Sequence, residues 1–187
     1  TENIIKAFGI ENGPVYFQYL AGKNGIYVNE IACRIGGAYE DEFIPAATGI
    51  DITELLVRGS LGEKITDNDF PGLTRSLFSF TGEYFTILLL FAMPGTIKDL
   101  RFPSEYADGS GPFASKFLAG KGTVILPALN STQRAGYALF RNTVIENLNK
   151  NVKSFLCNTV ILDEKGKNIL YNNPEIMTYL NRRRFNA

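Results

Sequence analysis

Two short, mainly apolar stretches lie on either side of Asn24-Gly25 near the start of the chain. Short apolar runs that are bounded by turn residues are typical of strands. Asn-Gly between two such runs favours a type I′ hairpin turn, which needs positive φ at both central residues. The pattern therefore predicts a hairpin with strands at about 15–20 and 26–31 and a turn at Asn24-Gly25.

The predicted hairpin places two polar side chains on one face. Glu30 follows Gln18 by twelve positions, and this even offset keeps side-chain parity when the strands fold back. An amide oxygen beside a carboxylate suits Mg²⁺ or Mn²⁺, which take oxygen ligands. Arg34 lies just past the second strand, where its guanidinium could hold a phosphate or a carboxylate. Gly36-Gly37 would let the backbone approach a ligand closely. The alternative is that these residues form only the solvated face of the sheet.

The rest of the pattern predicts an α+β fold. Helical spacing of apolar residues covers 38–61, and the chain beyond this segment is rich in strand patterns. Asp51, with Glu54 three positions later, is predicted to cap a helix within 38–61. A continuous apolar run at 85–92 predicts a strand that is buried on both faces. Residues 143–155 predict an amphipathic helix that Asn142 caps. A last short helix is expected from Pro174, ahead of three consecutive arginines at 182–184.

Charge and hydropathy exclude several classes of partner. The 187 residues include 19 basic and 19 acidic side chains, so the net charge is zero. A dedicated nucleic-acid or anionic-membrane binder needs a basic excess, and three arginines near one end do not supply it. No apolar run reaches the roughly 18–20 residues that span a bilayer. We therefore expect neither nucleic acid nor membrane as a partner.

The absence of histidine limits the available chemistry. With no histidine in the sequence, Ser-His-Asp and Cys-His catalysis and His-ligated zinc or haem sites cannot be built from this chain alone. Acid-base work would fall to carboxylates, Lys, Tyr or the substrate. Cys33 and Cys157 are far apart and lie in strand-like runs, which predicts buried, reduced thiols in a cytoplasmic protein.

The segment Asn29-Glu-Ile-Ala-Cys-Arg34, preceded by Gln18 and followed by Gly-Gly, resembles the late nucleotide-site segment of the ATP-grasp superfamily. That family has Glu-x-Asn-Pro-Arg on a strand after a hairpin whose first strand carries Glu or Gln. The motif Asn-Glu-Ile-Ala-x-Arg resembles the corresponding segment of the phosphoribosylaminoimidazole carboxylase ATPase subunit. The twelve-residue offset resembles biotin carboxylase, and Gln as the first ligand resembles carbamoyl phosphate synthetase.

The resemblance implies roles for these residues. Gln18 and Glu30 would hold Mg²⁺ or Mn²⁺ that bridges the phosphates of ATP, and Arg34 would meet the transferred phosphoryl group or the substrate carboxylate. The loop at Gly36-Gly37 would contact substrate. Ala32 stands where many members have Asn as a third metal ligand, which leaves a second metal in question; the carboxylase ATPase subunit shows the same Ala.

The resemblance also implies a domain division and a class of enzyme. Residues 1–62 would be the C-terminal part of an ATP-grasp domain, 63–74 a linker, and 75–187 a mainly antiparallel β-rich lobe. The parent would be a ligase that activates a carboxylate as an acyl phosphate for attack by an amine or another nucleophile, and homodimers fit this class. The lysines and the adenine-binding segment of the family are not found here. We therefore expect that an N-terminal half is missing and that the isolated chain is inactive. The alternative is a non-catalytic interaction or regulatory lobe that retains the fold.

Overall fold

The structure of the protein is a computed structural model that describes residues 1–70, 82–104, 106 and 110–171. The chain divides into two compact units, Thr1–Thr81 and Gly82–Ala187. The helix expected from Pro174 and the arginines at 182–184 lie outside the described residues, as does the predicted linker beyond residue 70. The assignment of 1–62, 63–74 and 75–187 to separate domains stays a prediction.

The first unit consists of short helices around one hairpin. Its elements in chain order are α1 (Glu2–Ala7), β1 (Tyr16–Gly22), β2 (Gly25–Ala32), α2 (Glu40–Thr48), α3 (Ile52–Ser60) and a 3₁₀ turn at Asp67–Asp69. Within the described residues, strands β1 and β2 pair with each other and with no other strand. Among the described residues of this unit, Ile50 alone is a buried hydrophobic residue, so the unit has little core of its own.

Capping interactions fix the helical segments of the first unit. The Asp51 carboxylate accepts hydrogen bonds from the backbone N–H groups of Thr53 and Glu54, which would otherwise lack partners at the start of α3. Thr66 and Asp69 form a reciprocal capping box around the 3₁₀ turn. The sequence predicted the Asp51 cap.

The described part of the second unit contains two antiparallel three-stranded sheets and one long helix. Its elements are β3 (Tyr84–Leu90), β4 (Gly95–Arg101), β5 (Ala114–Phe117), β6 (Val124–Ile125), β7 (Gly136–Asn142), α4 (Ile145–Asn158) and β8 (Val160–Asp163). The strand orders are β3-β7-β5 and β6-β4-β8. The helix packs on β3 and β7, and together they confirm the α+β fold class.

An apolar core holds the second unit together. Phe155 of α4 lies against Phe140 of β7 and Phe102, with ring centroids 5.3 and 5.2 Å apart. Leu90 and Ile161 contribute to the same buried cluster. Removing such side chains from water supplies most of the stabilisation of a small domain. This unit therefore has a much larger core than the described part of the first unit.

Both cysteines depart from the sequence-based expectation. Cys33 and Cys157 are free thiols, and both are exposed. Cys157 belongs to α4 rather than to a strand, and it follows the buried pair Phe155 and Leu156, so it turns to the solvent side of the helix. The prediction of buried thiols in strands was wrong.

Candidate functional site

The hairpin turn lies one residue earlier than the sequence predicts. Gly22 pairs with Gly25, so the two-residue loop is Lys23-Asn24 rather than Asn24-Gly25. Gly25 has φ +132°, and Asn24 is not among the residues with positive φ. The type I′ turn at Asn24-Gly25 is therefore incorrect, and glycine instead serves the position where β2 begins.

A β-bulge brings Gln18 opposite Glu30. Near the turn, Tyr19 pairs with Val28; one step further along β1, Gln18 pairs with Glu30. Asn29 is thus the additional residue on β2. Directly paired residues project to the same face of an antiparallel ladder, so the amide of Gln18 and the carboxylate of Glu30 share one face. The expected pairing is present, although the turn that was expected to produce it is not.

The two faces of the hairpin differ in character. Five residues with apolar or aromatic side chains share one face by their pairing: Phe17, Tyr19, Ile26, Val28 and Ile31. The rings of Phe17 and Tyr19 stack 5.8 Å apart, and Ile26 is 74% exposed. We call the opposite face the polar face for its Gln18–Glu30 pair; Leu20 and Tyr27, both more than half exposed, also lie on it. A face made only of apolar and aromatic side chains is expected where a sheet packs against another layer.

Arg34 lies at the edge of the polar face. Its Nη2 is 3.6 Å from Glu30 Oε1, which is an ion-pair distance but too long for a hydrogen bond. The guanidinium carbon lies 5.8 Å from the centre of the Tyr16 ring, and Nη1 donates to the backbone carbonyl of Ile35 at 3.0 Å. About half of each charged side chain is exposed. The Arg34 guanidinium is therefore oriented by its neighbours while remaining open to an anion from solvent.

The glycine loop is occupied by a side chain of the protein itself. A Cβ added at Gly36 would lie 2.1 Å from Glu40 Oε1, whereas one added at Gly37 would meet nothing within 4 Å. Glu40 Oε2 accepts a hydrogen bond from the Ala38 N–H at 2.7 Å, and Tyr39 has φ +65°. The Glu40 carboxylate thus holds the loop that leads from Arg34 into α2.

The donor set suits a hard divalent cation. Gln18 and Glu30 supply an amide oxygen and a carboxylate on one rigid face, which are oxygen ligands of the kind that Mg²⁺ and Mn²⁺ prefer. Ala32 pairs with Tyr16 and offers no side-chain oxygen. No group of three or more Asp, Glu, Cys or His side chains comes together anywhere in the described part of the chain. A cation there would draw its other ligands from water, phosphate or further polypeptide.

Sequence reasoning missed Asn29. Its Nδ2 donates a hydrogen bond to Gln18 Oε1 at 2.5 Å. Because strand side chains alternate, a residue next to Glu30 is expected on the opposite face. The bulge removes that alternation locally. The sequence carries no glycine at this point that would signal a bulge, so only the observed register identifies Asn29 as a neighbour of Gln18.

A separate cavity lies in the first unit. Its volume is about 610 Å³, and its walls come from the segment before β1, from α3 and from the 3₁₀ turn. Leu55, Ile65 and Phe70 give it apolar surface, and Glu11 and Asp67 lie at its lining. None of Gln18, Glu30, Arg34, Gly36 or Gly37 lines it. The cavity is thus distinct from the polar face of the hairpin.

The chain was compared with family models, curated proteins and solved structures. No family model matches the sequence, and no curated protein matches it either. Solved structures do match, and they show that the chain has the fold of part of the ATP-grasp enzymes. In the described part of the chain no helix has the length and apolar character to cross a membrane.

Three solved structures illustrate the likeness. Phosphoribosylglycinamide synthetase from Anaerococcus prevotii matches with a TM-score of 0.66 and 16% identity, over 86% of this chain and 39% of that one. L-amino acid ligase from Bacillus licheniformis matches with a TM-score of 0.68 and 19% identity, over 86% and 40%. The biotin carboxylase domain of 2-oxoglutarate carboxylase from Hydrogenobacter thermophilus matches with a TM-score of 0.66 and 18% identity, over 96% and 37%.

The identities and coverages limit what these matches show. The last of the three structures is a domain dimer in complex with MgADP, ADP and bicarbonate. At identities of 16–19% the likeness shows a shared fold. The chain spans only 37–40% of the length of the three structures. The resemblance to ATP-grasp enzymes that the motif indicated is confirmed at the level of the fold.

Proposed function

We propose that this chain is part of an ATP-dependent ligase of the ATP-grasp type, which activates a carboxylate as an acyl phosphate for attack by an amine or another nucleophile. One observation carries the proposal: Gln18 lies opposite Glu30, and Arg34 lies 3.6 Å from the Glu30 carboxylate, on the hairpin of an ATP-grasp fold. Oxygen ligands beside an anion-binding guanidinium are the groups that phosphoryl transfer requires.

Each of the three side chains has a role in this proposal. Gln18 Oε1 and the Glu30 carboxylate would hold Mg²⁺ or Mn²⁺. When bound, such a cation supplies neutralisation of the phosphate charge of ATP. Arg34 would bind the transferred phosphoryl group or the substrate carboxylate, because its distance of 3.6 Å from Glu30 leaves the ion pair loose. Gly36 and Gly37 would contact substrate through their backbone.

The bond changes balance without a protein nucleophile. An oxygen of the substrate carboxylate forms a bond to the γ-phosphorus of ATP while the bond from that phosphorus to the ADP oxygen breaks. The amine nitrogen, or another nucleophile, then attacks the acyl carbon, and inorganic phosphate leaves as the amine loses its proton. Positioning and electrostatics provide most of the catalysis in such a reaction, which agrees with a chain that lacks histidine.

The proposal requires further polypeptide beside this chain. Tyr19, Ile26 and Val28 on the apolar face of the hairpin are all more than 40% exposed, and an isolated two-stranded hairpin is marginally stable in water. A segment that covers this face would carry the remaining ATP-binding residues, and the isolated chain would be inactive. The other partners would be small-molecule substrates and, in the assembled enzyme, a second copy as in a homodimer. Because the reaction consumes ATP, a cytoplasmic location is part of the proposal.

The exposed apolar face also favours a second function. A chain whose hairpin docks onto another protein through Tyr19, Ile26 and Val28 would serve as an interaction or regulatory lobe. In that case the polar face would have no catalytic role. The two functions therefore predict different effects of substituting Glu30 on ATP turnover.

The test compares two glutamates in the native protein that contains this sequence. Glu30→Gln removes the carboxylate charge of the proposed site. Glu54→Gln is a matched control, because Glu54 also faces an arginine four residues later, at 3.9 Å from Arg58. ADP formation would be measured with a panel of carboxylates and amines. We expect Glu30→Gln to lower it by about 10²-fold and Glu54→Gln to leave it unchanged. Near wild-type turnover in Glu30→Gln would overturn the cation role. If none of the carboxylates changes ADP formation by the wild-type protein, the interaction lobe would be favoured.

A further inference from the structure

We infer that Asn29 is a positioning residue that orients the side-chain amide of Gln18 toward the cation site. The inference rests on the proposed function and adds a residue to it. Its basis is the hydrogen bond from Asn29 Nδ2 to Gln18 Oε1 at 2.5 Å, together with the bulge that puts Asn29 on the face of Gln18 and Glu30.

A glutamine ligand needs this help, whereas a glutamate would not. Both ends of a carboxylate are oxygen, so either can face a cation. An amide has one oxygen and one NH₂ group, and only the oxygen is a ligand. Gln18 is exposed, so its long side chain is free to rotate, and ordering it costs conformational entropy. A donor placed against Oε1 selects one of the two amide orientations and offsets part of that cost.

The geometry leaves the selected oxygen available. A carbonyl oxygen has two lone pairs, so the bond from Asn29 occupies one and the second can face the space beside Glu30. Within the described residues, this is the one side-chain hydrogen bond that Gln18 makes. Partners of this kind, behind the groups that touch a metal, typically change metal affinity by about 10–100-fold.

The bulge is what makes Asn29 available. In a regular strand the neighbour of Glu30 would project to the face opposite Glu30, together with Ile31. The additional residue interrupts the alternation and re-aims a side chain, as bulges do beside functional sites. Ala32, the next residue of β2 on the polar side, has no group that could reach Gln18. Asn29 is therefore the residue of β2 that can set the orientation of the Gln18 amide.

Direct cation binding tests this without reference to turnover. Mn²⁺ alone would be titrated into the ¹⁵N-labelled native protein that contains this sequence, and its binding followed by paramagnetic broadening of the amide signals around positions 18 and 30. Asn29→Ala should weaken Mn²⁺ binding by about tenfold. Asn24→Ala is the control, because Asn24 lies on the same hairpin but in its turn, and it should bind like the wild type.

Rescue at position 18 separates positioning from other roles. In a Gln18→Glu background either oxygen can face the cation, so adding Asn29→Ala should then have no effect on Mn²⁺ affinity. Unchanged affinity in Asn29→Ala alone would overturn the inference. Equal weakening in both backgrounds would also overturn it, because Asn29 would then act on the cation independently of Gln18.

Glu30→Gln keeps the inference apart from the proposed function. If Glu30→Gln abolishes the local broadening while Asn29→Ala leaves it unchanged, the cation site stands and only the role of Asn29 falls. If the wild-type native protein shows no broadening near positions 18 and 30, or Glu30→Gln retains it, the proposed cation site falls and the role of Asn29 falls with it.

Discussion

Glu40 folds its carboxylate over Gly36, so that a Cβ at position 36 would lie 2.1 Å from Glu40 Oε1. The same carboxylate accepts the Ala38 N–H at 2.7 Å. The loop between the hairpin and α2 is therefore closed by its own helix, and the close approach that Gly36 permits is to Glu40. Whether substrate also uses this glycine remains part of the proposal.

Substitution of the two glycines should separate crowding from flexibility. Gly36→Ala forces the Glu40 carboxylate away and breaks its bond to Ala38, at a cost of about 1 kcal/mol. Neither glycine has positive φ, so Gly37→Ala introduces neither strain nor a clash. Amide hydrogen exchange at Ala38 should quicken by roughly fivefold in Gly36→Ala and stay unchanged in Gly37→Ala. Equal exchange in both variants would show that Glu40 does not hold this loop.

Asp69 gives the first unit a pH dependence. Hydrogen bonds from the Thr66 backbone and then from the Arg58 side chain hold the pKa of the Asp69 carboxyl below its usual range. Arg58 Nη2 lies 2.7 Å from Asp69 Oδ1, and Arg58 Nε lies 2.7 Å from Glu63 Oε2. A group whose folded pKa is lowered stabilises the fold above its unfolded pKa, and that stability is lost as pH falls through the folded pKa.

Asp69→Asn should therefore destabilise the first unit at about pH 7, and the difference from wild type should shrink to nothing in acid as Asp69 protonates. Asp67→Asn is the matched control, because the Asp67 side chain has no hydrogen bond or ion pair within the described residues. Thermal melts across the acid range would measure both variants. A constant difference between Asp69→Asn and wild type at every pH would contradict the origin of the lowered pKa.

The sequence predicted the hairpin and its Gln18–Glu30 pair, but the turn from which the hairpin was predicted lies one residue earlier in the structure. A two-residue turn at Asn24-Gly25 would by itself place Gln18 opposite Ile31. The observed turn at Lys23-Asn24 would place Gln18 opposite Asn29, and the bulge then restores Glu30. Local propensity identifies a hairpin reliably. The register of its strands depends on packing of the whole apolar face, and no single dipeptide determines that packing.

Helix ends illustrate the same limit. Asp51 was predicted as a cap and is one, because capping depends on backbone groups two and three residues away. Asn142 was predicted to cap a helix at 143–155, but it is the last residue of β7, and α4 begins at Ile145. Pairing with Tyr84 of β3 extends the strand past the expected boundary. Long-range pairing overrode the local signal.

Phe155 should contribute most among the second unit's aromatic residues that contact one another. It is 2% exposed and lies against Phe140 and Phe102. Phe155→Ala should cost about 3–5 kcal/mol, whereas Phe113→Ala should cost less because that ring is 37% exposed. Since the chain has two units, hydrogen exchange of the β7 amides is a better measure than a global melt. Similar losses of protection in both variants would argue against the core as described.

Deletion of Asn29 provides the strictest test of the register. The ladder passes from Tyr19–Val28 to Gln18–Glu30 with Asn29 as the additional residue, so removing it joins the two parts into one regular ladder. We expect cross-strand NOEs to show Gln18 still opposite Glu30, as they should in Asn29→Ala, which keeps the bulge. A slip that pairs Gln18 with Ile31 would contradict this, because every side chain beyond the slip would change face.

The same deletion separates the bulge from the amide that it presents. The shortened hairpin keeps the Gln18–Glu30 pair but loses the donor that faces Gln18 Oε1. If that donor is what orients Gln18, the deletion and Asn29→Ala should bind Mn²⁺ with the same reduced affinity. If the local twist of the bulge instead sets the spacing of the ligands, the deletion should bind more weakly than Asn29→Ala. Mn²⁺ titration of the two variants side by side shows whether the Asn29 side chain or the backbone of the bulge positions the cation ligands.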